Sequence, residues 1–252
     1  MDQLIPSLAA PVEAFRGCFH PQVFHIFQAL IAGWIVCLGP RTLSEVWQAT
    51  GLAAKRHHDT AYAVSHSAAW ERDDLGMGIV LTTLILTHLI PGGVAWVVVD
   101  DPLCRNRGAK VAFGGIFLDA VMSSKGHKTF RFGLTWVVPG LAVPVPLRPD
   151  RDFCLPVLWR LYRKKGRDGY RSRPQAAAAL ARKLAGANPE RTFWPVGDSA
   201  YINAATLRDR PENLQVIGPL HRKAALYDRP PVGRSREGRR ARRGTASPTP
   251  RR

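Results

Sequence analysis

The chain has 252 residues, of which 46% are hydrophobic and 22% charged, a balance typical of a globular protein rather than a disordered one. Its 36 Lys and Arg against 19 Asp and Glu give a formal net charge of +17. That charge excludes an acidic protein and favours a polyanionic partner such as nucleic acid. Four cysteines lie far apart with no CxxC pair, which argues against a zinc ribbon or a disulfide framework and favours a reducing cytosol.

Residues 1–90 are predicted to form a helical domain. Apolar residues recur at helical spacing between Phe24 and Trp34. Thr42 and Glu45 have the spacing of a capping box, which predicts the start of another helix. Two interpretations of this domain stay open, a plain helical bundle and a helical DNA-binding domain.

The N-terminus and the apolar run at residues 75–90 give no sign of a targeting or membrane segment. The N-terminus has no basic region before an apolar stretch, so a secretory signal is not predicted. The apolar run has 16 residues, fewer than the roughly 20 that span a bilayer. We therefore expect no membrane partner and a cytoplasmic location, which in a bacterial cell would be at the nucleoid.

Residues 91–228 have the composition of an α/β (α+β) domain with a mixed sheet. Three β segments come first, followed by a helix, a strand, a helix and a strand. The β-rich runs are 94–101, 110–124, 130–147, 191–198 and 213–220, and the clearest helix is 173–187, with Pro174 near its start. Residues 155–166 are amphipathic and basic and are predicted to end in a helix C-terminus.

Residues 229–252 are predicted to be a disordered basic tail. The segment contains nine Arg and one Glu among Pro, Gly and Ser. Without it the chain would still carry a net charge of +9, so the folded part is basic in its own right.

Carboxylates follow two of the predicted strands. Asp100 and Asp101 end the first β segment, and Asp198 follows the strand near residue 195. Paired carboxylates at strand ends can hold Mg²⁺ or Mn²⁺, and two such ions are a device for phosphodiester cleavage. The alternative is that they are turn or helix-cap residues, because Pro102 follows Asp101 and Ser199 follows Asp198. The spacing of these aspartates in the sequence leaves both interpretations open, a metal site and turn or cap residues.

In order along residues 20–228, the segments VVVDDPLCRNRG, GHKTFRFGLTWVVP, FCLPVLWRLYRKKG, RPQAAAALARKLA and WPVGDSAYIN resemble the DDE transposases of bacterial insertion sequences. The resemblance implies a ribonuclease-H-like catalytic fold and a site for two Mg²⁺ or Mn²⁺ ions. It implies that Asp100, or alternatively Asp101, is the first ligand and that Asp198 is the second. Terminal inverted repeats and target DNA are the implied double-stranded partners, with a second copy or a full-length transposase as a possible protein partner.

The family's third acid, a glutamate on a later helix, has no clear counterpart. The acids after Asp198 are Asp209, Glu212, Asp228 and Glu237, and the sequence around Glu237 lacks helical periodicity. We therefore expect an incomplete core, as in a truncated or frameshifted copy that has weak or no activity alone. The alternative function is a non-catalytic DNA-binding remnant that inhibits transposition or occupies element ends.

Basic side chains are the candidates for DNA contact. The resemblance points to the segment after the first aspartates and to the one after the second, and Tyr162 lies among further cations that suit phosphate contact and base stacking. Their alternative is a solvated face. The predicted DNA-binding residues are Arg105, Arg107, Lys110, Lys128, Arg160, Arg163, Lys164, Lys165, Arg222 and Lys223.

Two further classes of site are not predicted. No GxGxxG or GxxxxGK[ST] motif occurs, which disfavours a nucleotide cofactor. The spacing of His57, His58, His66 and His88 indicates core or surface histidines rather than metal ligands.

Overall fold

The structure is a computed structural model that describes residues 6–66, 77–108 and 110–219. The predicted tail at 229–252 lies outside the described residues. The same is true of Arg222, Lys223, Asp228 and Glu237.

The first third of the described chain is helical, as the sequence predicts. Its helices are α1 (Pro6–Glu13), α2 (Pro21–Val36), α3 (Leu43–Ala49), α4 (Asp59–His66) and α5 (Met77–His88). The Thr42 side chain accepts a hydrogen bond from the Glu45 backbone N–H, so the predicted cap opens α3. Trp47 of α3 is buried between α2 and α4. Among the described helices, none has the length and apolar character needed to cross a membrane.

The rest of the described chain is built on one mixed sheet. Its strands are β1 (Val94–Asp100), β2 (Leu103–Arg105), β3 (Gly115–Leu118), β4 (Phe130–Val145), β5 (Arg148–Pro156), β6 (Arg160–Leu161) and β7 (Thr192–Val196). The long strand β4 pairs antiparallel with β1, β2, β3, β5 and β6, and β1 pairs parallel with β7 on its other side. Residues Leu214 and Ile217 then form isolated parallel bridges to β7.

One face of this sheet is covered by helix α6 (Arg173–Ala187). Its Ser172 cap and Gln175 form a complete capping box, and its apolar stripe packs on the sheet. Leu180 and Leu184 of α6 are fully buried with Val97 of β1 and Phe193 of β7. A mixed sheet with flanking helices is the α/β architecture that the sequence predicts.

Several local predictions are wrong. Residues 155–166 do not form a helix: the Val157 backbone N–H donates to the Pro139 carbonyl and that of Tyr162 to the Thr135 carbonyl, so the segment follows β4. Val157 and Leu158 of this segment are fully buried in the core beside the sheet.

The strand content also differs from the prediction. The segment 110–124 is a strand only over β3. Strand β5 is not predicted, because its run RPDRDFCLP is charged and contains two prolines. Trp96 lies in the apolar run of β1, but 43% of it is exposed.

Candidate active site

The parallel pairing of β1 and β7 brings the two strand-end carboxylates together. Val98 pairs with Val196 in this register, and Asp100 and Asp198 each lie two residues further along. The carboxyl ends of parallel strands meet at one edge of a sheet, so the two side chains share that edge. Their juxtaposition supports a joint role that a separation of 98 positions in the sequence could not reveal.

Asp100 lies on the open face of the sheet. In β1, Ala95, Val97 and Val99 are buried, whereas the alternate residues Trp96, Val98 and Asp100 are exposed. Because side chains alternate between the faces of a strand, Asp100 points away from α6. Across the β1–β7 pair, the rings of Trp96 and Trp194 pack edge to face on this same face, with their centres 4.9 Å apart.

Asp101 is held by two partners from other elements. The Tyr201 hydroxyl donates a 2.6 Å hydrogen bond to Asp101 Oδ1, and Arg173 Nη1 lies 2.7 Å from Asp101 Oδ2. Arg173 is the first residue of α6, and Tyr201 closes the turn after β7. Both oxygens of Asp101 are therefore engaged within the protein, which favours Asp100 over Asp101 as a ligand.

The surroundings of Asp101 change the pKa values of two side chains, Asp101 itself and Tyr201. Burial raises the pKa of Asp101, and the nearby charges of Asp100 and Asp198 raise it further, whereas Tyr201 and Arg173 lower it. Burial and the bond to Asp101 raise the pKa of Tyr201 well above its usual value. Tyr201 therefore stays protonated and acts as the donor.

Asp100 and Asp198 use one oxygen each in a local hydrogen bond. Asp100 Oδ1 accepts from the Asp101 backbone N–H at 2.8 Å, and Asp198 Oδ1 accepts from that of Ala200 at 2.9 Å. Asp198 thus begins a turn and does not cap a helix, which is the alternative that the sequence leaves open for it. Both residues are exposed, and two adjoining sets of carboxylate oxygens are a donor set that suits Mg²⁺ or Mn²⁺.

The predicted basic residues are not one surface. Arg107, Lys110 and Lys128 are exposed in the loops around β2 and β3. Arg105 instead donates to the buried Asp119 from Nε at 2.6 Å, although half of its side chain remains exposed. That bond holds the pKa of Asp119 below its usual range.

Three cations lie over aromatic rings. Arg163 and Lys164 belong to the predicted DNA-binding residues, and Arg173 does not. The guanidinium of Arg163 is 4.4 Å from the centre of the Phe113 ring, and Lys164 Nζ is 5.0 Å from that of Phe117. Arg173 lies 5.0 Å from the Tyr162 ring while it also binds Asp101. Arg160 is half-buried in β6, and Lys165 is exposed beside Lys164.

Two residues of the site are not predicted from the sequence. Arg173 looked like an ordinary residue at the start of a helix, and nothing local signals its bond to Asp101. Tyr201 was part of the Ser-Ala-Tyr run after Asp198, but its partner is 100 residues away. Asp209 and Glu212, two candidates for a third acid, lie in turns after α7 (Ala204–Leu207).

A separate set of possible ligands lies in the helical part of the described chain. The donor atoms of His57, His58 and Asp59 all lie within 4.8 Å of one another at the start of α4, and all three residues are exposed. Histidine spacing did not indicate this arrangement, because the third donor is a carboxylate.

One protein-family model matches most of the chain. The family model of the DDE superfamily endonucleases matches residues 14–252, a range that includes Asp228 and Glu237. The cryo-EM structure of a piggyBac transposase synaptic complex with hairpin DNA is similar with a TM-score of 0.37 and 9% sequence identity. That similarity covers 81% of this chain but 42% of the other chain, so this chain spans less than half of its length. No curated protein sequence matches the chain.

Proposed function

The chain belongs to the DDE superfamily endonucleases, and we propose that it cuts DNA phosphodiester bonds at the edge of the sheet where Asp100 and Asp198 meet. The observation that carries this proposal is the parallel register of β1 and β7, in which Val98 pairs with Val196 and each carboxylate lies two residues beyond. The two exposed carboxylates thus follow adjoining strand ends at the same edge of the sheet.

In this proposal Asp100 and Asp198 hold divalent metal, either Mg²⁺ or Mn²⁺. When bound, the two ions would supply activation of the attacking oxygen and stabilisation of the leaving oxygen. Asp101 does not compete for that role, because Tyr201 and Arg173 occupy its oxygens. The network Tyr201–Asp101–Arg173 fixes the end of β1 against the turn after β7 and thereby orients Asp100.

The proposed activity within the family is that of a DNA transposase of an insertion sequence, which nicks terminal inverted repeats and joins the ends to target DNA. Basic side chains would position the backbone of the duplex. We assign that role to the cations predicted above, Arg107, Lys110, Lys128, Arg160, Arg163, Lys164, Lys165, Arg222 and Lys223, together with the exposed half of Arg105.

Weak activity of the chain alone is part of the same proposal, because the third acid of the family has no clear counterpart in the sequence. Two carboxylates bind metal less firmly than three, so activity should need a high metal concentration or a second protein. Binding of DNA without cleavage would favour the alternative of a non-catalytic remnant.

The test is nicking of supercoiled plasmid by the full chain with Mg²⁺ or Mn²⁺, compared with Asp100→Asn and Asp198→Asn. Both substituted residues are exposed, so the fold should be retained. Asp150→Asn is the matched control, since Asp150 is an exposed carboxylate in β5 with its own arginine partners. Nicking that both site variants lose and the control keeps supports the proposal. Nicking that survives in either site variant would contradict it.

A further inference from the structure

Arg173 joins the candidate active site to a surface of aromatic and basic residues. Arg173 binds Asp101 and lies over Tyr162, whose ring is 6.0 Å from Phe117 and 6.4 Å from Tyr170. We call the aromatic–basic surface the set formed by Phe113, Phe117, Tyr162, Arg163, Lys164 and Tyr170. It is assembled from β3, the loop before it, and the segment that follows β6.

The cations of this surface are held in position by groups that carry no negative charge. In the described structure, Arg163 lies over the Phe113 ring and donates at 2.9 Å to the Asp168 carbonyl. Lys164 rests over Phe117 and packs so closely on Gly115 that a Cβ there would lie 2.8 Å from Lys164 Cε. The contacts order both side chains without neutralising them, so their charge remains available to a phosphate.

The backbone conformation of Phe113 is strained in the folded chain. Its φ of 61° is in the left-handed region, which a bulky residue rarely adopts, and 51% of it is exposed. Strained residues of this kind are concentrated at functional sites. Arg163 covers part of the ring, and the exposed remainder can take a flat partner.

From this arrangement we infer that the aromatic–basic surface binds a DNA strand with unpaired bases and directs it toward Asp100 and Asp198. Ordered cations suit the phosphates of such a strand, and exposed rings suit its bases, which in a duplex are already stacked on one another. The inference rests on the proposed function, because it names the form of DNA that the same site takes.

The experiment measures binding of the full chain, in EDTA, to a labelled 20-nucleotide strand and to the duplex of the same sequence. Phe113→Leu keeps an apolar side chain but removes the ring. It should weaken binding of the single strand about tenfold, as expected for one lost base–aromatic stack, and should leave duplex binding within about twofold. Tyr170→Leu should act in the same direction.

Phe153→Leu is the matched control, because Phe153 is 55% exposed and lies in β5, which pairs with the other end of β4. Phe153→Leu should change neither the affinity for the single strand nor the affinity for the duplex. Equal losses for strand and duplex in Phe113→Leu, or no loss at all, would overturn the inference. If plasmid nicking still depends on Asp100 and Asp198 in that case, the proposed function stands and only the unpaired-strand site fails.

Discussion

The hydroxyl of Tyr201 lies 2.6 Å from Asp101 Oδ1 and joins the turn after β7 to the end of β1. This bond, together with the Arg173 ion pair, connects three elements of the core: the parallel strands β1 and β7 and the helix α6 that covers them. It therefore ties the position of Asp100, the neighbour of Asp101, to the packing of the whole sheet.

Tyr201→Phe should lower the free energy of unfolding by about 1–3 kcal/mol, because a largely buried carboxylate loses a donor. Urea unfolding followed by fluorescence measures the change. Tyr62→Phe is the control, since the Tyr62 hydroxyl makes its hydrogen bond to Ser44 at an exposed position. A loss for Tyr201→Phe no larger than that of the control would show that the bond contributes little.

The Arg105–Asp119 pair should make stability sensitive to acid. The hydrogen bond from Arg105 lowers the pKa of Asp119, so its stabilisation is complete above the unfolded value near 4 and is lost as the pH falls through the folded pKa. Asp119→Asn should therefore be less stable than the parent protein at pH 7, with the difference narrowing below about pH 4. Unfolding midpoints of the parent protein and of Asp119→Asn, measured at pH 7 and below about pH 4, give the difference in stability. A difference that does not change with pH would contradict this prediction.

Gly33→Ala should destabilise the packing of α2 on α3. A Cβ at Gly33 would lie 2.6 Å from the Val46 carbonyl oxygen, which is backbone and cannot swing aside, so a cost of about 1–3 kcal/mol is expected. Gly186→Ala in α6 is the control, because a Cβ there meets nothing within 4 Å and should stabilise the helix by up to about 1 kcal/mol. Thermal unfolding of both variants should show shifts of opposite sign.

Deletion of residues 229–252 should flatten the salt dependence of DNA binding. The segment has nine arginines, and each phosphate that they neutralise contributes about 0.9 to the slope of log affinity against log salt. Titrations of the full and shortened chains between low and high salt measure the slope. An unchanged slope would show that the segment does not contact DNA, and loss of folding would show that it is structural.

Glu212→Gln, Asp228→Asn and Glu237→Gln should each leave plasmid nicking unchanged if the third acid of the family has no counterpart in this chain. The assay is that used for Asp100 and Asp198. Loss of nicking in one of the three variants would identify that residue as the third acid, and would contradict the expectation of an incomplete site.

The sequence alone determined the local features of the molecule. Helical periodicity between Phe24 and Trp34, the Thr42 cap and the β-branched run before Asp100 all predicted elements that the structure contains, because each depends on residues close together in the chain. The candidate ligands Asp198 and Asp100, with Asp101 as the alternative, also came from the sequence, through acids that follow apolar runs and through the resemblance of the surrounding segments to a known family.

Only the tertiary structure decided which of these residues meet. The pairing of β1 with β7 makes partners of Asp100 and Asp198, and burial of one sheet face under α6 sends Trp96 outward although its run is apolar. Arg173 and Tyr201 reach Asp101 from α6 and from the turn after β7. Such contacts follow from burying apolar surface across the whole sheet, and a window of neighbouring residues contains no information on them.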